Sequence, residues 1–283
     1  MENYAIIIPT YNLFPMLRRC LESLATTTRT MPPKEILVID DGSTDQTRPW
    51  LMQQGPPLRV LSHARPQGFA KSSNEGAAEA QSPVLIFLNN DVEALANWVE
   101  PLLDVLWSYP DVGFVGNAQW NPKTRRWDHL GVVFSPEGLP THMGKGFRWN
   151  PFRGVRTWRA VTAACCAIRR EVFWEAGGFD TSFRNGWEDM DLCLRLGRKG
   201  YRHYVAYESK VHHWVSSSPG RTACEKQNQD LFLQRWQGSL KQELGASELR
   251  LWAINYLGRY CDRPWAYNGW KLGKAFRVLL RGS

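Results

Sequence analysis

Short apolar runs alternate with helical repeats through the first 120 residues, and this alternation constrains the chain more than anything else in it. Tyr4–Pro9 and Glu35–Asp40 are apolar runs that end in polar residues, as buried parallel strands do, and Leu58–Ser62 and Val84–Leu88 read as two more. Between them, Leu13–Ala25 places Leu13, Leu17, Cys20, Leu21 and Leu24 at helical intervals. Gly68–Ala80 reads as a helix of small residues, Leu95–Trp107 as an amphipathic helix, and Val112–Val115 as a further short strand. Strands and helices in this order predict an α/β fold with a doubly wound, mostly parallel sheet and flanking helices. Such sheets bind ligands beyond the carboxyl ends of their strands. The polar clusters fall there: Thr10-Tyr11-Asn12, Asp40-Asp41-Gly42-Ser43, His63–Gly68 and Asn89–Asp91.

Composition excludes several alternatives. At 283 residues, 43% hydrophobic and 22% charged, the chain can bury a sizeable core, which excludes wholesale disorder. No apolar run approaches the roughly 18 residues of a membrane-spanning helix. The N-terminus lacks a basic segment ahead of its short apolar run, so no secretory signal is expected and the expected compartment is cytoplasmic. The six cysteines are scattered without a CxxC spacing and read as small buried hydrophobes. A net charge of +8 and a pI near 9.3 point to anionic partners. Residues 216–283 hold eleven Lys/Arg against five Asp/Glu, so six of the eight net charges lie in the last quarter. With no nucleic-acid motif and a terminal basic excess, nucleic acid is not an expected partner.

Residues 118–160 are rich in Trp, Gly, Pro and Arg without a clear period, the signature of a functional loop region or lid. Ala160–Arg169 then reads as a strand, Glu171–Ala176 as a short helix closed by Gly177-Gly178, Glu188–Arg198 as a helix and Tyr204–Tyr207 as a short strand. After Pro219 the sequence turns helical and basic.

Four clusters carry groups suited to chemistry, and each also has an ordinary structural reading. Asp40–Asp45 ends a strand with paired carboxylates; it is either turn and cap chemistry or an acceptor for nucleobase N–H groups. Asn89-Asn90-Asp91 is either a turn or a carboxylate for a hard divalent cation. Trp187-Glu188-Asp189-Met190-Asp191 sets three acids at a helix start, where they suit the macrodipole or supply a general base. His212-His213 offers an imidazole ligand or a structural pair.

Taken in order, these clusters resemble family-2 inverting glycosyltransferases of the GT-A fold. The series is Pro9-Thr10-Tyr11-Asn12, Asp40–Asp45, Gly68-Phe69-Ala70 with Asn74 and Gly76, Leu88–Asp91, Gly178-Phe179-Asp180, Trp187–Leu192 with Arg195, and His212. The likeness covers about residues 3–218 and is strongest to the bacterial branch of surface-polysaccharide and rhamnosyltransferase-like enzymes. It implies a GT-A domain over 1–218, with a nucleotide-binding half (1–117) and an acceptor half (118–218), followed by a basic helical extension over 219–283. It further implies that Pro9, Thr10, Tyr11, Asn12, Asp41, Gly68, Lys71 and Asn90 bind the nucleotide. Asp91 and His212 would hold Mn²⁺ or Mg²⁺, with His213 as the alternative ligand. Asp189 would act as the base, and Glu188, Asp191, Trp187 and His129 would contact donor sugar or acceptor. Asn89 stands where the family's metal motif has its first Asp. The implied donor is a UDP-, GDP- or dTDP-sugar, the acceptor a glycan or lipid-linked glycan, and the setting O-antigen-like synthesis at the cytoplasmic face of the inner membrane. The competing reading is a non-catalytic nucleotide-sugar or carbohydrate-binding scaffold of the same fold.

In the tail, Lys271, Lys274, Arg277 and Arg281 alternate with Trp270, Leu272, Phe276 and Val278–Leu280, with no acid after Asp262. This pattern fits a basic amphipathic helix, either packed on the domain or lying on an anionic bilayer.

Overall fold

β1 (Tyr4–Thr10), buried along its whole length, is central to the sheet, and the rest of the first half builds outward from it. The computed structural model describes residues 3–215, 223–262, 264–266 and 269–280. After β1 come α1 (Phe14–Thr27), β2 (Glu35–Asp40), α2 (Thr47–Leu51), β3 (Leu58–Ser62), α3 (Phe69–Glu79) and β4 (Val84–Leu88). Then follow β5 (Val92–Ala94), α4 (Glu100–Ser108), β6 (Val112–Asn121), β7 (Arg126–His129), β8 (Val132–Phe134), β9 (Pro140–His142) and β10 (Val155–Trp158). The remainder is β11 (Cys165–Arg169), α5 (Arg170–Glu175), α6 (Glu188–Arg198), β12 (Arg202–His213), α7 (Glu225–Glu243), α8 (Ala246–Asp262) and α9 (Gly269–Leu280).

The main sheet runs β10-β12-β6-β11-β4-β1-β2-β3. Strands β3, β2, β1 and β4 are parallel, as the apolar runs predict. β11 enters antiparallel between β4 and β6, and β12 returns parallel to β6. β8 and β9 form a separate antiparallel hairpin.

The period-two alternation of β1 divides the core. Tyr4, Ile6 and Ile8 face α1 and α4 and pack with Leu17, Leu21, Leu24, Leu102 and Leu106. Ala5 and Ile7 face the other layer, with Ala70 and Ala77 of α3 and Met190 and Leu194 of α6. That layer extends into the C-terminal helices: Phe232, Trp236 and Leu240 of α7, Trp252 of α8 and Ala275 of α9 belong to the same core. The described parts of α7, α8 and α9 therefore pack on this core.

Several boundaries differ from the sequence expectation, each for a tertiary reason. The helix expected from Leu95 starts at Glu100, because Val92–Ala94 pairs as β5 with β12. β6 reaches Asn121 and β12 runs from Arg202 to His213, each supported by pairing to the other. Only Cys165–Arg169 of the expected 160–169 strand is a strand. The stretch 118–160 contributes β7 to β10. Cys20, Cys165, Cys166 and Cys193 are buried free thiols as expected, whereas Cys224 is half-buried and Cys261 exposed.

Gly76 shows how tightly α3 lies on the sheet. A Cβ there would fall 2.6 Å from Ile7 Cγ2 and 2.7 Å from Ile39 Cδ1. Gly76→Ala is expected to destabilise the fold by about 1–3 kcal/mol through overpacking. A urea titration read by circular dichroism checks this; an unchanged midpoint would mean that the helix is free to move outward.

Candidate active site

Most of the polar clusters converge on one cavity of about 650 Å³ at the carboxyl ends of β1, β2 and β4, within the size range of small-ligand sites. Pro9, Thr10, Tyr11, Asp41, Gly68, Asn90, Asp91, Trp187, Glu188 and Asp189, all singled out in the sequence, line it. The carboxylates of the β4 end and the α6 start thus share one hollow.

On the β1–β4 side, Asn90 Nδ2 donates to Thr10 Oγ1 at 2.8 Å, tying the two strand ends together. Asp41 is buried and organises the next loop. Its Oδ1 accepts the Gln67 N–H (2.7 Å) and faces His63 Nδ1 (2.6 Å); its Oδ2 accepts the Gly68 N–H (2.8 Å). Gly68 sits at φ +94°, a conformation that favours glycine and aims this N–H at the carboxylate. A second lone pair on Oδ2 remains for a ligand donor.

Past β4, Asp91 faces β12. Its Oδ1 is 3.4 Å from His213 Nε2, and His213 Nδ1 is 3.1 Å from Asp128 Oδ2. Burial pulls the His213 pKa down, but hydrogen bonds and charge from Asp128 and Asp91 outweigh it and push the pKa up to about 9. Asp128, in turn, is held well below the usual carboxylate range: burial opposes this, and the His213 hydrogen bond and the Lys145 charge overcome it. The pair of acids therefore makes this corner of the cavity favourable for positive charge.

At the start of α6, Asp189 is half-buried and lines the cavity. Its Oδ2 accepts the Ala163 N–H (3.1 Å) and its Oδ1 the Met190 N–H (2.9 Å). Burial raises its pKa against these hydrogen bonds, and burial prevails. Glu188 Oε2 accepts the Gly186 N–H at 2.7 Å. Trp187, at φ +78°, donates its indole N–H to Glu225 Oε1 at 3.1 Å.

Five sequence candidates are placed away from the cavity lining. His212 points toward Glu93, with Nδ1 3.6 Å from its carboxylate; adjacent residues of a strand face opposite ways, so His213 takes the inward position. His129 is fully buried against the His142 ring, and burial holds its pKa far below the ordinary value. Its neighbour Asp128 is the one that reaches the cavity. Asp191 is fully buried and accepts from Arg195 Nε (2.7 Å), Arg235 Nη1 (2.7 Å) and Trp236 Nε1 (2.9 Å), which makes it the anchor of α7 on α6. Lys71 is exposed and donates to Gln67 Oε1. Asn12 Oδ1 accepts the Thr44 and Asp45 N–H groups, joining the loops after β1 and β2.

The sequence reading did not single out Asp128, His142, Lys145, Arg184 or Asn185, which also line the cavity. Asp128 was legible as an acid next to a histidine; His142 ends the short strand β9, and Lys145, Arg184 and Asn185 lie outside regular elements, so only the packed chain determines their position.

The cavity thus opens at the strand ends of an α/β sheet and is lined by acids from the end of β4 and the start of α6. The profile described as glycosyl transferase family 2 matches residues 5–177, and the chain belongs to that family. It is 33% identical over 224 residues to the O-antigen biosynthesis protein RfbC of Myxococcus xanthus, a match covering 76% of this chain and 17% of that protein. It is 28% identical over 241 residues to N-acetylglucosaminyl-diphospho-decaprenol L-rhamnosyltransferase of Mycobacterium tuberculosis, covering 76% and 77%. The first two relatives are far longer, and the chain spans 17% and 27% of their lengths. Among solved structures it is similar to GalNAc-T7 with UDP, GalNAc and Mn²⁺, with TM-score 0.64, 19% identity and coverage of 86% of this chain and 53% of that one. It also resembles the mannosyltransferase PcManGT of Pyrobaculum calidifontis with GDP-Man and Mn²⁺, with TM-score 0.55, 17% identity and coverage of 99% and 79%. At such identities these two establish the fold. No helix among the described residues is long and apolar enough to cross a membrane.

His63 provides a pH test of the loop beneath the site. It bridges Asp41 (2.6 Å) and Glu75 (2.5 Å). Burial lowers its pKa, but the two carboxylates outweigh burial and raise it above the ordinary value. A raised folded-state pKa adds stability that is full below the unfolded value of about 6.5 and fades as pH rises through the folded one. Wild type should therefore exceed His63→Gln in melting temperature most below pH about 6.5, with the gap closing at alkaline pH. A gap independent of pH would show that the bridge is uncharged.

Proposed function

We propose that this chain transfers a sugar from a UDP-, GDP- or dTDP-sugar to a hydroxyl of a glycan or lipid-linked glycan, with inversion, in bacterial surface-polysaccharide synthesis. One observation carries the reading: Asp189, with its raised pKa, lines the same cavity as the Asp91–His213 pair. The names of the relatives support the class of reaction and the setting.

In this reading the strand ends hold the donor. Tyr11 flanks the base and the free lone pair of Asp41 accepts a base N–H. Arg184 takes the place first expected of Lys71: with Lys145, which lies 3.4 Å from Asp128, it is one of two Lys/Arg residues that line the cavity among those described. Its charge meets the diphosphate.

Asp91 and His213 fit a divalent ion as a two-donor site. They converge at 3.4 Å in a corner that favours positive charge, and Asp128 orients the imidazole as outer carboxylates do for metal-bound histidines. Among the described residues no cluster of three or more such ligands is found, so phosphate oxygens and water would complete the shell. When bound, Mn²⁺ or Mg²⁺ neutralises charge on the departing diphosphate. His213 replaces His212 in this assignment.

Asp189 then removes the proton of the acceptor hydroxyl. That oxygen forms the new bond to the anomeric carbon as the bond from that carbon to the phosphate oxygen breaks on the opposite face. One displacement without a covalent intermediate inverts the centre. A raised carboxylate pKa brings the base closer to working pH, where general-base catalysis is most effective. Glu188 and Trp187 line the sugar and acceptor side.

Asp189→Asn is expected to keep donor binding by calorimetry and to lose at least about 10²-fold in turnover, the low end for loss of a general base. Retained turnover would move the base elsewhere. His213→Ala should abolish the response to added Mn²⁺ while His212→Ala leaves it intact, measured by release of nucleoside diphosphate; the reverse result would restore His212. Arg184→Ala should weaken donor binding about tenfold, the scale of one charge-assisted hydrogen bond.

A further inference from the structure

The outward face of α9 is built unlike that of a solvated helix. Ala275 is buried in the core, and Leu272, Val278 and Leu279 are half-buried, so the inward side is apolar as packing requires. Yet Trp270 (66% exposed), Phe276 (50%) and Leu280 (74%) lie on the outside, and Trp265 just before the helix is 82% exposed. Between Pro264 and Leu280 there is no Asp or Glu, and Lys271 and Arg277 are exposed among the aromatic residues. An exposed apolar patch of this kind marks a contact with something other than water.

We propose that this face docks on an anionic lipid bilayer. The chemistry of the patch selects that occupant. Indole and phenyl rings sit at the boundary between headgroups and acyl chains, and Lys or Arg beside them meets anionic headgroups. A second copy of the chain would set one acid-free basic face against another, which like charges oppose. Arg281, the remaining basic residue of the motif, lies outside the described residues.

The placement of the patch gives the contact a use. Lys274 forms an ion pair with Glu137 in the connection between β8 and β9, and α8 packs on both α9 and β8. Pro140 and His142 of β9 line the cavity. The outward face of α9 is thus fixed one hairpin away from the cavity wall, and a glycan carried on a membrane lipid would be delivered to that side. The docking itself does not depend on the proposed transfer reaction.

Flotation of the full chain with phosphatidylcholine vesicles, with and without about 30 mol% phosphatidylglycerol, tests the proposal. The wild-type chain should float with the anionic vesicles, and at least about fivefold less with neutral ones or at high salt. Lys271→Glu with Arg277→Glu should abolish flotation, and Trp270→Ser with Phe276→Ser should reduce it about tenfold. Unaltered melting curves must accompany both variants, and donor hydrolysis in vesicle-free buffer should stay at the wild-type rate. Three results would overturn the proposal: equal flotation with neutral vesicles, wild-type flotation of the charge-reversed variant, or no flotation together with a concentration-dependent dimer in light scattering. Failure of the transfer reaction would show instead as absent hydrolysis in every variant, with flotation unaffected.

Discussion

The register between β5 and β12 decides what the cavity contains. His213 lies opposite Val92 and His212 opposite Glu93. Because side chains alternate across a strand, that pairing turns one imidazole toward Asp91 and the other toward Glu93. A slip of one residue would exchange them. The register is in turn held by β12 lying parallel to β6 along most of its length, with an irregularity between Ala206 and Lys210 that resets the phase before the histidines.

Buried carboxylates here divide into those whose hydrogen bonds are taken up by the fold and those aimed at the cavity. Asp40 is held by Arg48 and the Ser43 N–H, and Asp191 by two arginines and an indole. These are structural pairs, and removing one partner would strand a buried charge. Asp41 stands between the classes, since it pins the 63–68 loop and still lines the hollow. Asp189 accepts from the Ala163 and Met190 N–H groups and still lines the hollow, and burial outweighs its hydrogen bonds to raise its pKa.

Much of the first half was legible in the residues. Apolar runs gave β2, β3 and β4 with their observed ends, and helical spacing gave α6. The polar strand ends gathered as doubly wound sheets require. The candidates that lie away from the cavity lining share one feature. His212, His129 and Lys71 were chosen by residue type within a motif, and type carries no information on which way a side chain points. Asp191 was expected at the sugar or acceptor, and the partners that instead hold it in the fold, Arg235 and Trp236, lie more than forty residues later.

The sequence by itself determined the alternating α/β order, the strand-end location of the polar clusters and the family to which they belong, because hydrophobic period and turn chemistry act over short stretches of chain. Tertiary structure alone decided which histidine meets Asp91, that Asp128 stands behind it, and that the basic C-terminal helices complete the core beside the cavity. Those outcomes depend on strand register and on contacts between distant segments, where a shift of one residue reverses every facing and no local pattern records the choice.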